Sequence, residues 1–390
     1  MSDHYGLVSR AEALRPLLSS NAAQGAADRR ITETGISALA EAGLFKVTLP
    51  ERHGGHQAGI RTLLEVAAAV AHGDGAAGWV VSLTNICSWI VTLCPGRTQD
   101  DVFGADPEAR VCGSLAPAGR GVDVEGGVRL SGSWSYVSGS LHAHWALLGF
   151  NLVDESGEIV EARIALVPAE DYAVSDTWFM AGMRATGSNT VTAEDVFVPA
   201  HRVLSRASLA AGDYPTEYED EVPYRSAWFP MLRMALLGPV LGAGRAALEH
   251  VRDAAGTKKM AGTVFTRQAD SVGFQMQFAD AALRIDTAHL HARRAADDIE
   301  EYAARGEQPE FPARARMRAD ASLAASQVVE AINILLNVHG SAGLADASAL
   351  QRIWQDANVA ARHASLLPGI GYEVYGKALL GITNDVATTV

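Results

Sequence analysis

The residues that could do chemistry fall in three short stretches. RIWQDANVAARHASLLP, 352–368, carries His363 near the end of a helical run. An imidazole titrates near neutrality and can give or take a proton at physiological pH. A lone histidine on a mostly apolar helix also serves as a satisfied core residue, so the stretch alone leaves both readings open. SGSWSYVSGSLHAHW, 131–145, crowds serine and glycine between aromatics. Such a strand lets a flat ring approach the backbone and offers hydroxyls to ring heteroatoms. A Gly/Ser-rich hairpin is the plain alternative. GMRATGSNTV, 182–191, has the same character, with Arg184, Thr186, Ser188 and Asn189 in a Gly-bounded turn.

Other motifs carry less. GDGAAG, 73–78, matches GxGxxG by letter, but a helical pattern precedes it where a dinucleotide site needs a strand. It reads as a helix–helix turn. His142 and His144 would share a strand face and could reach one metal ion, yet no further ligand lies nearby in sequence, and His289 and His291 diverge on a helix. No metal is expected. GxxxxGK[ST], GxSxG and HExxH do not occur.

Three kinds of element must position these residues. Residues 7–95 read as helices rich in Ala, Leu and Arg. From residue 110 the runs VCGSLAP, GVRLSGSWSYVSG, HWALLGFNLV, EIVEARIALVP and NTVTAEDVFVP alternate or are β-branched, as strands do. Near Pro230 long amphipathic helical runs return. The fold class is mainly α with a central β domain. The division is a helical domain at 1–110, a β domain at 111–225 and a helical bundle at 226–390. PTEYEDEVPY, 215–224, is acidic and Pro-bounded and reads as an exposed linker or flap. On the last helix, Arg352 and Asp356 are four apart and predict an ion pair, and Pro368 stops the run.

Composition narrows the partners. The chain has 390 residues, 48% hydrophobic and 20% charged, with net charge −13. No basic cluster offers a phosphate-reading face, so nucleic acid is excluded as a partner. Three cysteines, Cys87, Cys94 and Cys112, form no CxxC pair and fit a reducing cytoplasm. The N-terminus lacks a signal-peptide pattern. The apolar run 79–93 is short for a bilayer and reads as a buried helix, so no membrane partner is expected.

Taken in order, these pieces resemble the acyl-CoA dehydrogenase superfamily over nearly the whole chain. The resemblance rests on the helical N-terminus, the β domain from CGSLAP, GMRATGS followed by DVFVP, and a bundle ending in RxWxDA. It implies an N-terminal helical domain, a middle β-barrel-like domain and a C-terminal four-helix bundle. Dehydrogenases of this superfamily commonly use a Glu near the end of the last segment as base. Here Ala364 stands at or beside that position, and no Asp or Glu lies between Asp356 and Glu373. An alanine cannot remove a proton.

WSYVSG (134–139), GMRATGS (182–188) and RIWQDANVAARH (352–363) are similar to another branch, the group D two-component flavin monooxygenases typified by p-hydroxyphenylacetate hydroxylase oxygenase components. That resemblance implies a separate NAD(P)H–flavin reductase, diffusible reduced FMN or FAD, dioxygen as co-substrate and a C4a-hydroperoxyflavin. Ser138 would sit near flavin N5 and His363 over the reacting edge of flavin and substrate. Ser114, Leu115, Arg184 and Ser188 would contact flavin, Lys258 and Lys259 its phosphate, and a homotetramer would complete the site. Trp79, Asn85, Trp89 and His142 would line a pocket for a flat phenol- or indole-type substrate, each with an alternative role as core. Three rivals remain: an amino-sugar N-oxygenase (nitrososynthase-like) on the same scaffold, which needs basic pocket contacts; an acyl-CoA dehydrogenase with a relocated base, which would hold oxidised flavin; and a helical interaction protein, which would bind none.

Overall fold

The computed structural model describes residues 4–387 and 389–390. Helices α1 (His4–Ala13), α2 (Arg15–Asp28) and α3 (Glu33–Glu41) lead into α4 (Ile60–Gly73) and α5 (Gly75–Thr92), with a short α6 at Gly96–Gln99. One residue separates α4 from α5. Asp74 leaves helical geometry at φ −150°, and its carboxylate accepts the N–H groups of Ala76 at 2.9 Å and Ala77 at 3.4 Å. This is an N-cap, so GDGAAG is a helix–helix turn. Three helices, 75–92, 228–255 and 311–339, are long and apolar enough to cross a membrane, but most of the first two is packed inside the fold.

Strands β1 (Val111–Val124), β2 (Gly127–Val137), β3 (Trp145–Val153), β4 (Ile159–Pro168), β5 (Ala173–Ser175), β6 (Asn189–Pro199) and β7 (Val203–Ser205) form one seven-stranded sheet. Its order is β5-β6-β2-β1-β3-β4-β7, with β1 parallel to β3 and the other pairs antiparallel. Its own core holds Trp134, Phe150 and Val191. The ladder between β1 and β3 breaks between Ser114 and Gly119, and β2 pairs with β1 only from Arg120 onward. Residues 115–118 therefore have no register partner on either side.

After α7 (Arg206–Ala211) come the bundle helices α8 (Trp228–Ala255), α9 (Val272–Arg305), α10 (Phe311–His339), α11 (Ala349–Ala360) and α12 (Pro368–Leu380). A single large core joins the N-terminal helices to the bundle, and α4 packs along α8. Small residues allow the close approach: a Cβ on Gly242 would lie 2.3 Å from the Ala68 carbonyl oxygen.

Several expectations are corrected. Residues 215–224 are exposed in part, as at Glu219 and Asp220, but the segment is pinned to the body: Thr216 and Tyr224 are buried, Arg52 stacks 3.6 Å over the Tyr218 ring, and the Tyr224 hydroxyl donates to the Thr48 carbonyl at 3.0 Å. Of the acidic residues, Glu221 meets Arg52 and Glu217 accepts the Gly96 N–H, while Glu219 and Asp220 are exposed. Helix α11 ends at Ala360, before His363 and short of the expected stop at Pro368. The N–H groups of Arg362 and His363 bond three residues back, and Leu366 N–H bonds to the His363 carbonyl, which turns the chain toward Pro368. Asn85 and Trp89 are core residues. Asn85 is fully buried, its amide N–H groups donate to the Leu44 and Val81 carbonyls at 2.8 Å, and its oxygen accepts the Thr48 N–H at 3.2 Å. Trp89 is fully buried and donates to the Pro223 carbonyl at 2.9 Å.

Asn85→Ala should lower stability by about 2–4 kcal/mol, because it opens a void and leaves buried backbone groups unpaired. Thermal unfolding measures this. Unchanged stability with weakened reduced-flavin binding would return Asn85 to the site.

Candidate active site

The site begins where β2 stops. Tyr136 takes φ +63° and Gly139 φ +76°, so the chain turns sharply and Ser138 points inward, 7% exposed. The Gly139 N–H donates to the Thr186 carbonyl at 2.9 Å. That bond joins WSYVSG to GMRATGS. The second motif is a turn of its own, with Arg184–Thr186 in a tight helical turn between Met183 at φ +54° and Gly187 at φ +52°. Gly187 supplies the left-handed geometry that a side chain would disfavour.

The third motif grips this turn from the bundle. The buried carboxylate of Asp356 accepts the Met183 N–H. Next to it, a Cβ on Gly182 would lie 2.2 Å from the Gln355 carbonyl oxygen, so only glycine lets the loop seat on α11. The expected Arg352–Asp356 ion pair is therefore replaced: the carboxylate is directed to the loop, and Arg352 acts on it only at longer range. Burial first, and the neighbouring Asp74 carboxyl second, push the Asp356 pKa up to about 7. Burial also raises that of Asp74. Behind this clamp lies a cavity of about 340 Å³, lined by His72, Asp74, Glu249, His250, Arg352 and Asp356 among others. Its lining includes neither Ser138 nor His363, so it is not where those two side chains meet.

A directed chain of hydroxyls runs through the site. Thr186 Oγ1 donates to the Met183 carbonyl at 2.8 Å, which uses its one hydrogen. Ser188 Oγ, 2.6 Å away, must then donate to Thr186. Ser138 Oγ, 2.7 Å from Ser188, must donate to Ser188 in turn. The Trp79 indole N–H donates to Ser138 at 3.2 Å. With the Thr186 hydroxyl donating to the Met183 carbonyl, the chain runs from Ser138 toward Met183, and Ser138 is left with acceptor capacity for one more N–H. The Trp178 indole N–H secures the far end on the Met183 carbonyl at 2.9 Å.

Trp79 also links Ser138 to His363, whose ring centroid lies 6.1 Å from that of the indole. His363 is accessible to solvent yet ringed by protein, as a side chain lining a recess is. Burial first, and the Arg233 charge second, hold its pKa down to about 4. The ring is neutral at pH 7. Ser365 N–H donates to Nδ1 at 3.2 Å, which assigns the ring hydrogen to Nε2. His363 thus offers a hydrogen-bond donor to the recess.

The remaining candidates divide. Ser114 and Leu115 lie half-buried at the break in the β1 ladder. His142 is buried with Nε2 unpartnered, in a turn at Ser140–His142 and not on a strand. His144 turns elsewhere and accepts the Arg110 N–H at 3.0 Å, so the two do not form a metal pair. Among the described residues no group of three or more His, Cys, Asp or Glu comes together. Arg184 donates to the Ala26 and Met180 carbonyls at 2.8 and 3.2 Å and ties α2 to the loop. Lys258 and Lys259 follow the far end of α8, roughly 33 Å along the helix from Arg233. The chain's own fold does not bring them to Ser138. Sequence reading missed Asp356 as the loop clamp and Arg233 as a neighbour of His363. The first was hidden by its i, i+4 arginine, the second by its place in an apolar run.

These parts suit a flavin. The Ser138 acceptor matches the N–H of a reduced ring, and the orphaned His142 Nε2 needs a partner. Helical, β and bundle units meeting at such a site define a flavoenzyme of the acyl-CoA dehydrogenase fold. Residues 11–99 match the model of the acyl-CoA dehydrogenase N-terminal domain, and residues 234–368 that of the C-terminal domain. The chain belongs to this superfamily, among its flavin-dependent monooxygenase oxygenase subunits. It is 33% identical to the oxygenase subunit HsaA of Rhodococcus jostii, over 96% of this chain and 98% of that one. It is 31% identical to the oxygenase component of an FADH2-dependent resorcinol hydroxylase from a Rhizobium species, over 97% and 95%. The structure of XiaF from a Streptomyces species, in complex with FADH2 and glycerol, superposes with TM-score 0.92 at 36% identity, covering 98% of this chain and 97% of that one.

Asp356 gives a pH test. Its folded pKa lies above the ordinary 3.8, so folding takes up a proton between about 4 and 7. Its contribution to stability is present below that window and is lost as pH rises through about 7. Asp356→Asn should flatten this part of the pH–stability curve in chemical denaturation. A variant curve parallel to the wild type would place the titration elsewhere.

Proposed function

We propose that this chain is the oxygenase component of a two-component system that hydroxylates an aromatic, phenol- or indole-type substrate. The directed hydroxyl chain carries the reading, because it leaves Ser138 able to accept but not to donate at the flavin ring. A reduced ring presents N–H where an oxidised ring presents a bare acceptor nitrogen. Ser138 therefore favours reduced flavin delivered by diffusion from a separate reductase. Bound reduced flavin supplies the two electrons that activate dioxygen. One oxygen atom enters the aromatic ring, and the other leaves as water. Ser138, Ser188, Ser114 and Leu115 would hold the cofactor.

His363 is neutral and donates from Nε2, so it orients an oxygen atom in the recess without adding a standing charge. Trp79 closes the wall between the two and keeps water from the reacting atoms. The resorcinol hydroxylase relative supports a phenolic substrate. An amino-sugar nucleotide would need several basic pocket contacts, and the sequence gathers no such cluster.

A homotetramer is part of this reading. Val272, Met276, Leu283 and Leu290 of α9 share one helix face and are each about two-thirds exposed, an apolar stripe suited to a second copy. A neighbouring copy could also bring Lys258 and Lys259 to a flavin phosphate. Leu283→Lys with Leu290→Lys should reduce the assembly to smaller species in sedimentation velocity. An unchanged sedimentation coefficient would remove the stripe from the interface.

The function is tested by anaerobic mixing with reduced FAD or FMN, then exposure to oxygen. The return of the oxidised-flavin spectrum should be delayed well beyond that of free flavin. Ser138→Ala should shorten the delay by roughly tenfold to a hundredfold. Reoxidation indistinguishable from free flavin would overturn the reading.

A further inference from the structure

Three buried hydroxyls stand in line between a group that can only donate and a group that can only accept. The Trp79 indole N–H donates to Ser138 Oγ at one end, at 3.2 Å, and the Met183 carbonyl accepts Thr186 Oγ1 at the other, at 2.8 Å. Between them, Ser138 and Ser188 are 2.7 Å apart, and Ser188 and Thr186 are 2.6 Å apart. Among the described residues the three hydroxyls have no other hydrogen-bond partner. Thr186 is 2% exposed and two hydroxyls away from Trp79's partner, so its hydroxyl acts on a bound molecule only through the serines.

The two ends of the line do not constrain it equally. A serine oxygen accepts an N–H and still has its own hydrogen to turn, so Trp79 alone leaves Ser138 free to donate either way. A carbonyl carries no hydrogen. Thr186 must therefore donate to Met183, and toward Ser188 it can only accept. Ser188 spends its hydrogen on Thr186 and can only accept from Ser138. A Ser138 hydrogen turned away from Ser188 would leave two oxygens 2.7 Å apart with nothing between them, a separation that a shared hydrogen makes. The direction of the whole line is thus set at Thr186. The Met183 carbonyl does not depend on it, because it also accepts the Trp178 indole N–H at 2.9 Å and the Thr186 backbone N–H at 3.1 Å.

We propose that Thr186 is a positioning residue that makes the site discriminate between the redox states of its flavin. With Thr186 holding the line, Ser138 presents a lone pair to the ring. A reduced ring answers with an N–H, and an oxidised ring answers with a lone pair of its own. The spent cofactor is then the form that the site rejects, and fresh reduced flavin takes its place. The proposal rests on the flavin-monooxygenase reading and names the residue that governs cofactor exchange in it. Without the Thr186 hydroxyl, the one acceptor left to Ser188 is Ser138. The line reverses, and Ser138 donates outward.

The test is titration of the full chain with reduced FAD, anaerobically, and with oxidised FAD, together with the reduction potential of the bound flavin. Wild type should bind the reduced form at least roughly tenfold more tightly, which raises the potential of the two-electron couple by about 30 mV per tenfold. Thr186→Val should cut that preference at least roughly tenfold, chiefly by tightening oxidised FAD, and should lower the potential to match. Thr186→Ser restores the hydroxyl and should bring the preference back to within about twofold of wild type. Ser188→Ala removes the middle link and should also cut the preference; this second variant keeps the test open if Thr186→Val does not fold. A preference that survives in Thr186→Val or Ser188→Ala overturns the proposal. So does equal weakening of both redox forms, which marks a structural role, or failure of Thr186→Ser to restore the preference. Wild type that delays reoxidation but binds both forms equally overturns the proposal and leaves the oxygenase reading standing. Wild type that binds neither form overturns both.

Discussion

The site depends on one buried contact, the Met183 N–H held by the Asp356 carboxylate. It fixes a loop with a left-handed residue at each end of its turn against a helix of another structural unit. Everything downstream takes its direction from that loop. The Met183 carbonyl receives the first hydroxyl, and each later hydroxyl has only one hydrogen to give. Ser138 thus becomes an acceptor through a constraint set four groups away. A buried carboxyl with a neighbouring carboxyl is an expensive clamp. Its use here ties the β unit to the bundle at the one place where catalytic geometry needs both.

The electrostatics of the recess follow the same logic. His363 is kept neutral by burial and by a nearby guanidinium, and no standing charge is placed where an oxygen atom must be transferred. The cationic character is displaced to Arg233, deeper in the bundle. An aromatic wall at Trp79 lies between the hydroxyl chain and the imidazole and limits the water that reaches either.

Much of this was legible in the sequence because it was periodic or locally crowded. Helices α4 and α5, the change to strands near residue 110 and the return to helix near Pro230 follow from spacing and composition. The three motifs are visible as clusters of small, hydroxyl and aromatic residues. What was not legible depends on contacts across the chain. Asp356 has an arginine four residues before it, so local spacing points to the wrong partner. The resemblance assigns Asn85 and Trp89 to a pocket, but the buried helix that the run 79–93 predicts turns their polar atoms to backbone groups of Leu44, Thr48, Val81 and Pro223. The acidic run at 215–224 reads as solvated until Arg52 is seen stacked upon it. Arg233 and Arg318, 85 apart in sequence, both donate to the Thr389 carbonyl, and nothing local announces it.

The Asp74 cap has a further consequence. The residue that caps α5 also adds, after burial, to the rise in the Asp356 pKa, so a carboxyl of the N-terminal unit bears on protonation in the C-terminal one. Positions 74, 352 and 356 form a single electrostatic unit although its ends are 282 positions apart. A chimera that joins this N-terminal unit to the bundle of a relative would inherit half of that unit. The breakpoint would look harmless in the backbone, since it falls between well-packed domains. Its incompatibility would surface as a pH-dependent loosening of the loop at 182–188, far from the splice. Exchange of bundles in this fold therefore requires the α4–α5 turn to travel with the last helices.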